Sequence, residues 1–269
     1  MPDSFAAETT QWKPENAHAC ARLSQLAYED NDDIITEALR TELGFTGYDY
    51  IVRKETETEV IVVSDAKAVV VAFRGTEMKI RDWMTDADIA KTGFAAGRVH
   101  EGFLWALNSV WDDLVLKIAA QKTQGQSLWF TGHSLGGALA TLSVGKMRLE
   151  EDHRPVNGLY TFGCPRVGDD EFGHAFDQEF GDCAFRYVNE NDVVPRLAPR
   201  AFGYTHVGSY RWFDDAGKLH EDIHWWNKLL DTIKVDFEGI FHGEWAPGAN
   251  HAIARYLEKT SRKAARKLV

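Results

Sequence analysis

Cysteine is scarce in this chain: Cys20, Cys164 and Cys183 are the only three in 269 residues. So few, and an odd number, exclude a small scaffold held by disulfides. Cys164 is expected past the carboxyl end of one strand and Cys183 before the start of the next parallel strand. That places them at opposite edges of a sheet, too far apart to bond. Cys20 falls on a predicted helix, so no disulfide is expected. No apolar run reaches transmembrane length. A basic-then-apolar leader is missing from Met1-Pro2-Asp3-Ser4-Phe5. The compartment stays open: a cytoplasmic protein, leaderless export, or a trimmed N-terminus. Positive charge is in deficit, with 30 Lys and Arg against 41 Asp and Glu and a net charge of −11. That excludes a nucleic-acid face, which needs clustered cations. One basic run stands apart, Lys259, Arg262, Lys263, Arg266 and Lys267. It complements a helix dipole or makes a weak contact with anionic lipid. Repeats and low-complexity linkers are also absent. At 44% hydrophobic, the chain can bury one large core, and residues 1–269 are expected to form a single domain.

What is present centres on Gly132-His133-Ser134-Leu135-Gly136. An apolar stretch, Ser127 to Thr131, precedes it. Small, helix-compatible residues, Gly137 to Leu142, follow. Strand, tight turn, helix is the context of a nucleophile elbow. Such a turn strains the serine backbone, exposes its hydroxyl and leaves no room for a Cβ at the flanking glycines. The plainer reading is a glycine-rich turn with a passenger serine.

A serine needs a base, and the base needs an orienting acid. In α/β-hydrolases they follow in the order Ser, Asp or Glu, His. Ala184 to Asn189 reads as a strand and leads into a polar turn that carries Asp192. His251 lies in the turn before a predicted helix, Ala252 to Leu257. Asp192 is 58 residues after Ser134, and His251 is 59 after Asp192, enough for separate sheet connections. Taken singly, Asp192 reads equally as a solvated turn residue and His251 as a helix-entry histidine. Glu190 is a competing acid. His206, His220, His224 and His242 are competing bases.

Five blocks in order resemble the class 3 lipases, the fungal-type triacylglycerol lipase family of α/β-hydrolases. They are Phe73-Arg74-Gly75-Thr76, Val99 to Phe103, Gly132 to Ala140, Thr161 to Gly168, and Asn191 to Arg196. The likeness spans about residues 60 to 257. It departs at Asn250, where the family often has Asp. The resemblance implies an α/β-hydrolase fold with a mainly parallel central sheet flanked by helices. Alternating strands and helices from Thr58 to Val188 predict the same sheet. It further implies that Ser134, Asp192 and His251 act as nucleophile, acid and base. For the oxyanion hole, Leu135 supplies the amide after the nucleophile, and the resemblance assigns Thr76 as the second donor. Arg74 is expected in a structural ion pair.

Between Thr76 and His100, residues Ile80, Trp83, Met84 and Ala87 follow helical spacing with charges on the other faces. That predicts a short amphipathic helix. By the resemblance, residues 77–92 form a helical lid that opens at a lipid–water interface, with Ile80, Trp83 and Met84 on its apolar side. Asp86 is in a family position that supports the oxyanion residue. Gly93 and Gly97 are candidate hinges. Glu15–Tyr28 and Asp33–Leu43 are predicted N-terminal helices. An insertion is expected at about 214–247. It contains His220-Glu221-Asp222-Ile223-His224, which matches the H-E-x-x-H zinc signature. No third ligand is evident from the spacing, so no metal and no cofactor is expected.

These readings favour a carboxylic ester hydrolase acting on acylglycerols, most of all a triacylglycerol lipase. A phospholipase, a mono- or diacylglycerol lipase and a feruloyl esterase use the same chemistry. A lipase-fold binding module without catalysis is the other class. Such modules carry broken triads, and here every element is present.

Overall fold

The computed structural model describes residues 5–76, 90–123, 125–150, 155–189, 192–198, 200–214, 216–221 and 251–261. Two helices come first. The first, α1 (Pro14–Leu26), has proline in its opening turn, where a missing N–H breaks no helical bond. The second, α2 (Asp32–Ala38), is capped by Asn31, whose side chain accepts from the amides of Asp33 and Ile34. Both match the expected helices, although the last residues of the second form a wider π turn, Leu39–Leu43.

An antiparallel meander follows: β1 (Gly47–Arg53), β2 (Thr58–Ser64) and β3 (Ala68–Phe73). In β2 and β3 both faces are apolar. Val60, Val62, Val69, Val71 and Phe73 join one core cluster. Ile61, Val63, Ala68, Val70 and Ala72 join another. Strands covered on both sides read as continuous apolar runs, as this one does.

Next come β4 (Lys91–Gly93) and β5 (Arg98–His100), paired as a small separate hairpin. The chain continues through α3 (Glu101–Gln121), β6 (Ser127–His133), α4 (Leu135–Gly145), β7 (Gly158–Phe162), α5 (Asp170–Phe180) and β8 (Ala184–Asn189). It closes with β9 (Ser209–Phe213), β10 (Leu219–Glu221) and α6 (Ile253–Thr260). The main sheet runs β1-β2-β3-β6-β7-β8-β9-β10. Neighbours from β3 to β9 are parallel, with antiparallel pairs at both ends.

A sheet that grows one way through right-handed crossovers puts its crossover helices on one face. Accordingly, α3, α4 and α5 pack there through Leu107, Leu139 and Phe172. The opposite face takes the two ends of the described chain, α1 and α6, through Cys20, Leu23 and Tyr256. Each fully buried aliphatic or aromatic side chain in these layers contributes about 1.5–3 kcal/mol.

Three local expectations change. Gly97 turns the β4–β5 hairpin at φ 76°, and a Cβ there would lie 2.4 Å from the Phe172 amide nitrogen. Clamped against the start of α5, it is a packed corner rather than a hinge. The expected lid, 77–92, meets the described residues only at its end, where Lys91 and Thr92 already belong to β4. Ile80, Trp83, Met84 and Asp86 lie outside the described residues. The stretch expected to open an insertion instead completes the sheet, because Asp214 and Gly217 close a turn between β9 and β10. His220 and Glu221 therefore sit on a strand, where neighbouring side chains point to opposite faces. His224 and the rest of that insertion lie outside the described residues.

Candidate active site

Two glycines make the elbow at the carboxyl end of β6. A Cβ on Gly132 would lie 2.2 Å from the Gly136 carbonyl carbon, and one on Gly136 would lie 2.2 Å from the Phe73 carbonyl oxygen. Helix α4 therefore starts in close contact with both strands. Between these glycines Ser134 is held at φ 59° and ψ −129°, a conformation that costs a non-glycine residue about 1–3 kcal/mol. Its amide donates to the Phe162 carbonyl at 2.9 Å. The Ser134 side chain faces His251 Nε2, yet Ser134 is fully buried. The expected exposed hydroxyl is thus corrected: an elbow sets direction, and whatever lies above it sets exposure.

Strand β8 leads to Asp192, the expected acid. Asp192 accepts from the Val194 amide at 2.9 Å, which folds its loop back on the carboxylate. The carboxylate also accepts from His251 Nδ1, at 3.0 Å to Oδ1 and 2.9 Å to Oδ2. Tyr256, one turn into α6, donates its hydroxyl to Oδ2, while its own oxygen accepts from the Asn189 amide at 3.0 Å. A carboxylate facing Nδ1 keeps the proton on that nitrogen and leaves Nε2 as an acceptor. His251 Nε2 lies 2.9 Å from Ser134 Oγ. The three expected residues thus meet in one line, though 117 positions separate the serine from the histidine. Asp192 and His251 are each 1% exposed, so the line is shielded from water.

The two expected oxyanion donors lie beside it. Leu135 opens α4, so its amide is among the first-turn N–H groups without an acceptor inside the helix. Gly75 presses against the elbow: a Cβ there would sit 3.1 Å from Ser134 Cβ. Thr76 follows directly, and its buried Oγ1 has no hydrogen-bond partner. Arg74 takes the expected structural role, binding Glu59 at 2.8 Å and Asp30 at 3.1 Å. Among the competing bases, His220 pairs with Asp214 at 2.8 Å, and His206 lines a small cavity with Cys164 and Arg186. Glu190, His224 and His242 lie outside the described residues. Among those described, no cluster of His, Cys, Asp or Glu is arranged to hold a metal ion.

Four contributors escaped the sequence reading. Gly163, at φ 60°, passes under the acid–base pair. A Cβ there would stand 2.7 Å from Asp192 Oδ2 and 2.9 Å from His251 Nδ1. Tyr256 was readable only as an apolar residue on the helix after the base. His133, the second residue of the elbow motif, is buried against His251 with ring centroids 4.5 Å apart. Burial, and then the neighbouring His251, hold its pKa well below the ordinary histidine range. Tyr28 reaches His133 Nδ1 from beyond α1, at 2.7 Å. No local pattern marks Tyr28.

The profile of the class 3 lipases matches residues 70–202. A secreted mono- and diacylglycerol lipase from Fusarium solani is 37% identical over 174 residues, covering 63% of this chain and 49% of its own. A lipase from Rhizomucor miehei is 35% identical over 168 residues, covering 60% and 46%. The chain thus spans about half the length of these curated relatives. Among solved structures, a triacylglycerol lipase whose catalytic centre is a serine protease triad superposes with a TM-score of 0.67. It is 26% identical, with 83% of this chain and 91% of that one covered. One expectation falls here. Several of the matched relatives are named as secreted enzymes, which overturns the cytoplasmic or leaderless reading of the N-terminus. Among the described residues, no helix is long and apolar enough to cross a membrane.

Proposed function

Because the chain belongs to the class 3 lipases of the α/β-hydrolase superfamily, we propose that it hydrolyses the ester bonds of acylglycerols through an acyl-enzyme intermediate. The observation that carries this reading is the unbroken line from Ser134 Oγ to His251 Nε2, and from His251 Nδ1 to the Asp192 carboxylate. Ser134 Oγ attacks the ester carbonyl carbon while His251 Nε2 takes its proton. Asp192 holds the imidazole and stabilises the imidazolium. The carbonyl oxygen becomes an oxyanion between the Leu135 amide and Thr76. Each such donor lowers the barrier by about 3 kcal/mol. His251 then protonates the leaving alcohol. Water, deprotonated by the same imidazole, attacks the acyl-serine; the imidazolium returns that proton to Ser134 Oγ as the acyl–oxygen bond breaks, releasing the fatty acid and free Ser134.

The proposal extends to the whole of residues 1–269 as one domain, and to residues 77–92 as a lid whose Ile80, Trp83 and Met84 meet lipid. The burial of Ser134 supports a site that must open to admit substrate. Export from the cell is included, after the secreted relatives; enzyme found only inside the source cells would refute that part.

The test is hydrolysis of emulsified triacylglycerol and of soluble p-nitrophenyl esters. Ser134→Ala should lower kcat on the order of 10³-fold or more, and an undiminished rate would falsify the mechanism. Trp83→Ala should depress the emulsion rate more than the soluble-ester rate. Equal losses count against the lid.

A further inference from the structure

The contacts beneath the triad form a second hydrogen-bond chain, and its direction is fixed. His133 Nε2 lies 2.6 Å from the main-chain carbonyl oxygen of His251. A carbonyl can only accept, so Nε2 carries the proton and donates it. Burial keeps the ring neutral, which leaves Nδ1 as an acceptor. The Tyr28 hydroxyl, 2.7 Å away, therefore donates to Nδ1. Reversing any member would set lone pair against lone pair or proton against proton.

This chain acts on the main chain of the base, at the His251 carbonyl. Ser134 and Asp192 grip the imidazole of His251 but not its backbone. Among the described residues, the bond from His133 is the only hydrogen bond to the His251 main chain. His133 immediately precedes Ser134, so one dipeptide carries both the nucleophile and the tether of its base. The far end is anchored too. Arg74, bound to Glu59 and Asp30, lies over the Tyr28 ring at 5.7 Å. Gly75 leaves room for the Tyr28 hydroxyl: a Cβ there would fall 2.4 Å from it.

We propose that Tyr28 and His133 are positioning residues, a directional hydrogen-bond chain that fixes the main chain of His251 relative to Ser134 Oγ. The proposal rests on the triad reading given above. Removing the tether lets the imidazole drift, and a misplacement of about 1 Å costs on the order of 10²-fold in rate.

Three variants test it with a soluble ester. His133→Leu, which cannot donate, should lower kcat by about 10²-fold and leave KM within about twofold. His133→Gln, whose amide N–H has a similar reach, should recover most of that loss. Tyr28→Phe should lower kcat by about tenfold, the scale of one hydrogen bond. A wild-type kcat in His133→Leu overturns the proposal, and so does a Gln variant as impaired as Leu. Loss expressed in KM alone also overturns it. Should the Leu variant not fold, nitrogen NMR of the His133 ring in the Ser134→Ala protein decides. A protonated Nε2 with bare Nδ1 upholds the chain, and a protonated Nδ1 refutes it. Full activity in Ser134→Ala would instead sink the triad reading. An inactive Ser134→Ala beside a fully active His133→Leu sinks only this inference.

Discussion

The two ends of the parallel strands follow different rules. At the amino ends, side chains mostly serve the main chain. Asp65 accepts from the amides of Lys67 and Ala68, Gln126 donates to the Asp65 carbonyl, and Asn157 accepts from the Leu128 amide. These bonds finish the sheet and leave nothing pointed at a substrate. At the carboxyl ends, side chains serve one another. Ser134, His251, Asp192 and Tyr256 form one line, and Tyr28 and His133 brace it. There the backbone is strained at Ser134, at φ 59°. One end is built for stability; the other holds reactive atoms face to face, shielded from water.

The largest effect expected at the carboxyl end is on turnover. Asp192→Asn should lower kcat by roughly 10⁴-fold, because an amide can favour the wrong imidazole tautomer. The melting temperature should fall little. A variant that keeps its rate would show that this line of side chains does not drive the reaction. A pair of glycines sharpens the contrast next. Gly163 and Gly125 both have positive φ, 60° and 69°. Gly163→Ala meets Asp192 and His251, whereas Gly125→Ala meets open space. The first should lose about 1–3 kcal/mol of stability and at least tenfold in kcat. The second should lose about 1 kcal/mol and no activity. Equal kinetic losses would erase the distinction between the ends.

Acid should weaken the carboxyl end in a defined window. His133 has its pKa depressed in the folded chain, by burial first and by His251 second, from an ordinary value of 6.5. Below pH 6.5 the unfolded chain binds this proton and the folded chain resists it. The contribution is therefore complete above pH 6.5 and is lost as pH falls from there toward the folded value. The slope approaches about 1.4 kcal/mol per pH unit. Denaturant titrations of wild type and His133→Gln should diverge in that window, and parallel curves would show that His133 is charged when folded. The smallest effect belongs to the amino end. Asn157→Ala should cost about 1 kcal/mol, one hydrogen bond, with kcat unchanged; a kinetic loss there would show that both ends influence turnover.

What the sequence revealed follows the same division. The elbow was legible because two close approaches, at Gly132 and Gly136, demand glycine within five residues of chain. The apolar runs of β3 and β6 were legible because both faces are covered. Asp192 and His251 could be picked out by order and by their place at an expected strand end and before an expected helix. The H-E-x-x-H match, from which no metal was expected, begins on a strand, because residues 219–221 pair with β9. Tyr28 was silent, since its partner lies 105 residues away. Gly163 looked like an ordinary loop glycine, and Tyr256 like one more apolar helix residue.

The sequence by itself determined the conformation of the turn at Ser134 and the strands that carry it, since such preferences depend on a few neighbouring residues. Only the tertiary structure decided which groups meet there, which hydroxyl bonds His133, and that Ser134 is covered. Those contacts depend on strand register and on how α1 and α6 pack on one face. Sheet pairing and helix packing join residues more than a hundred positions apart, and no short stretch of sequence encodes them.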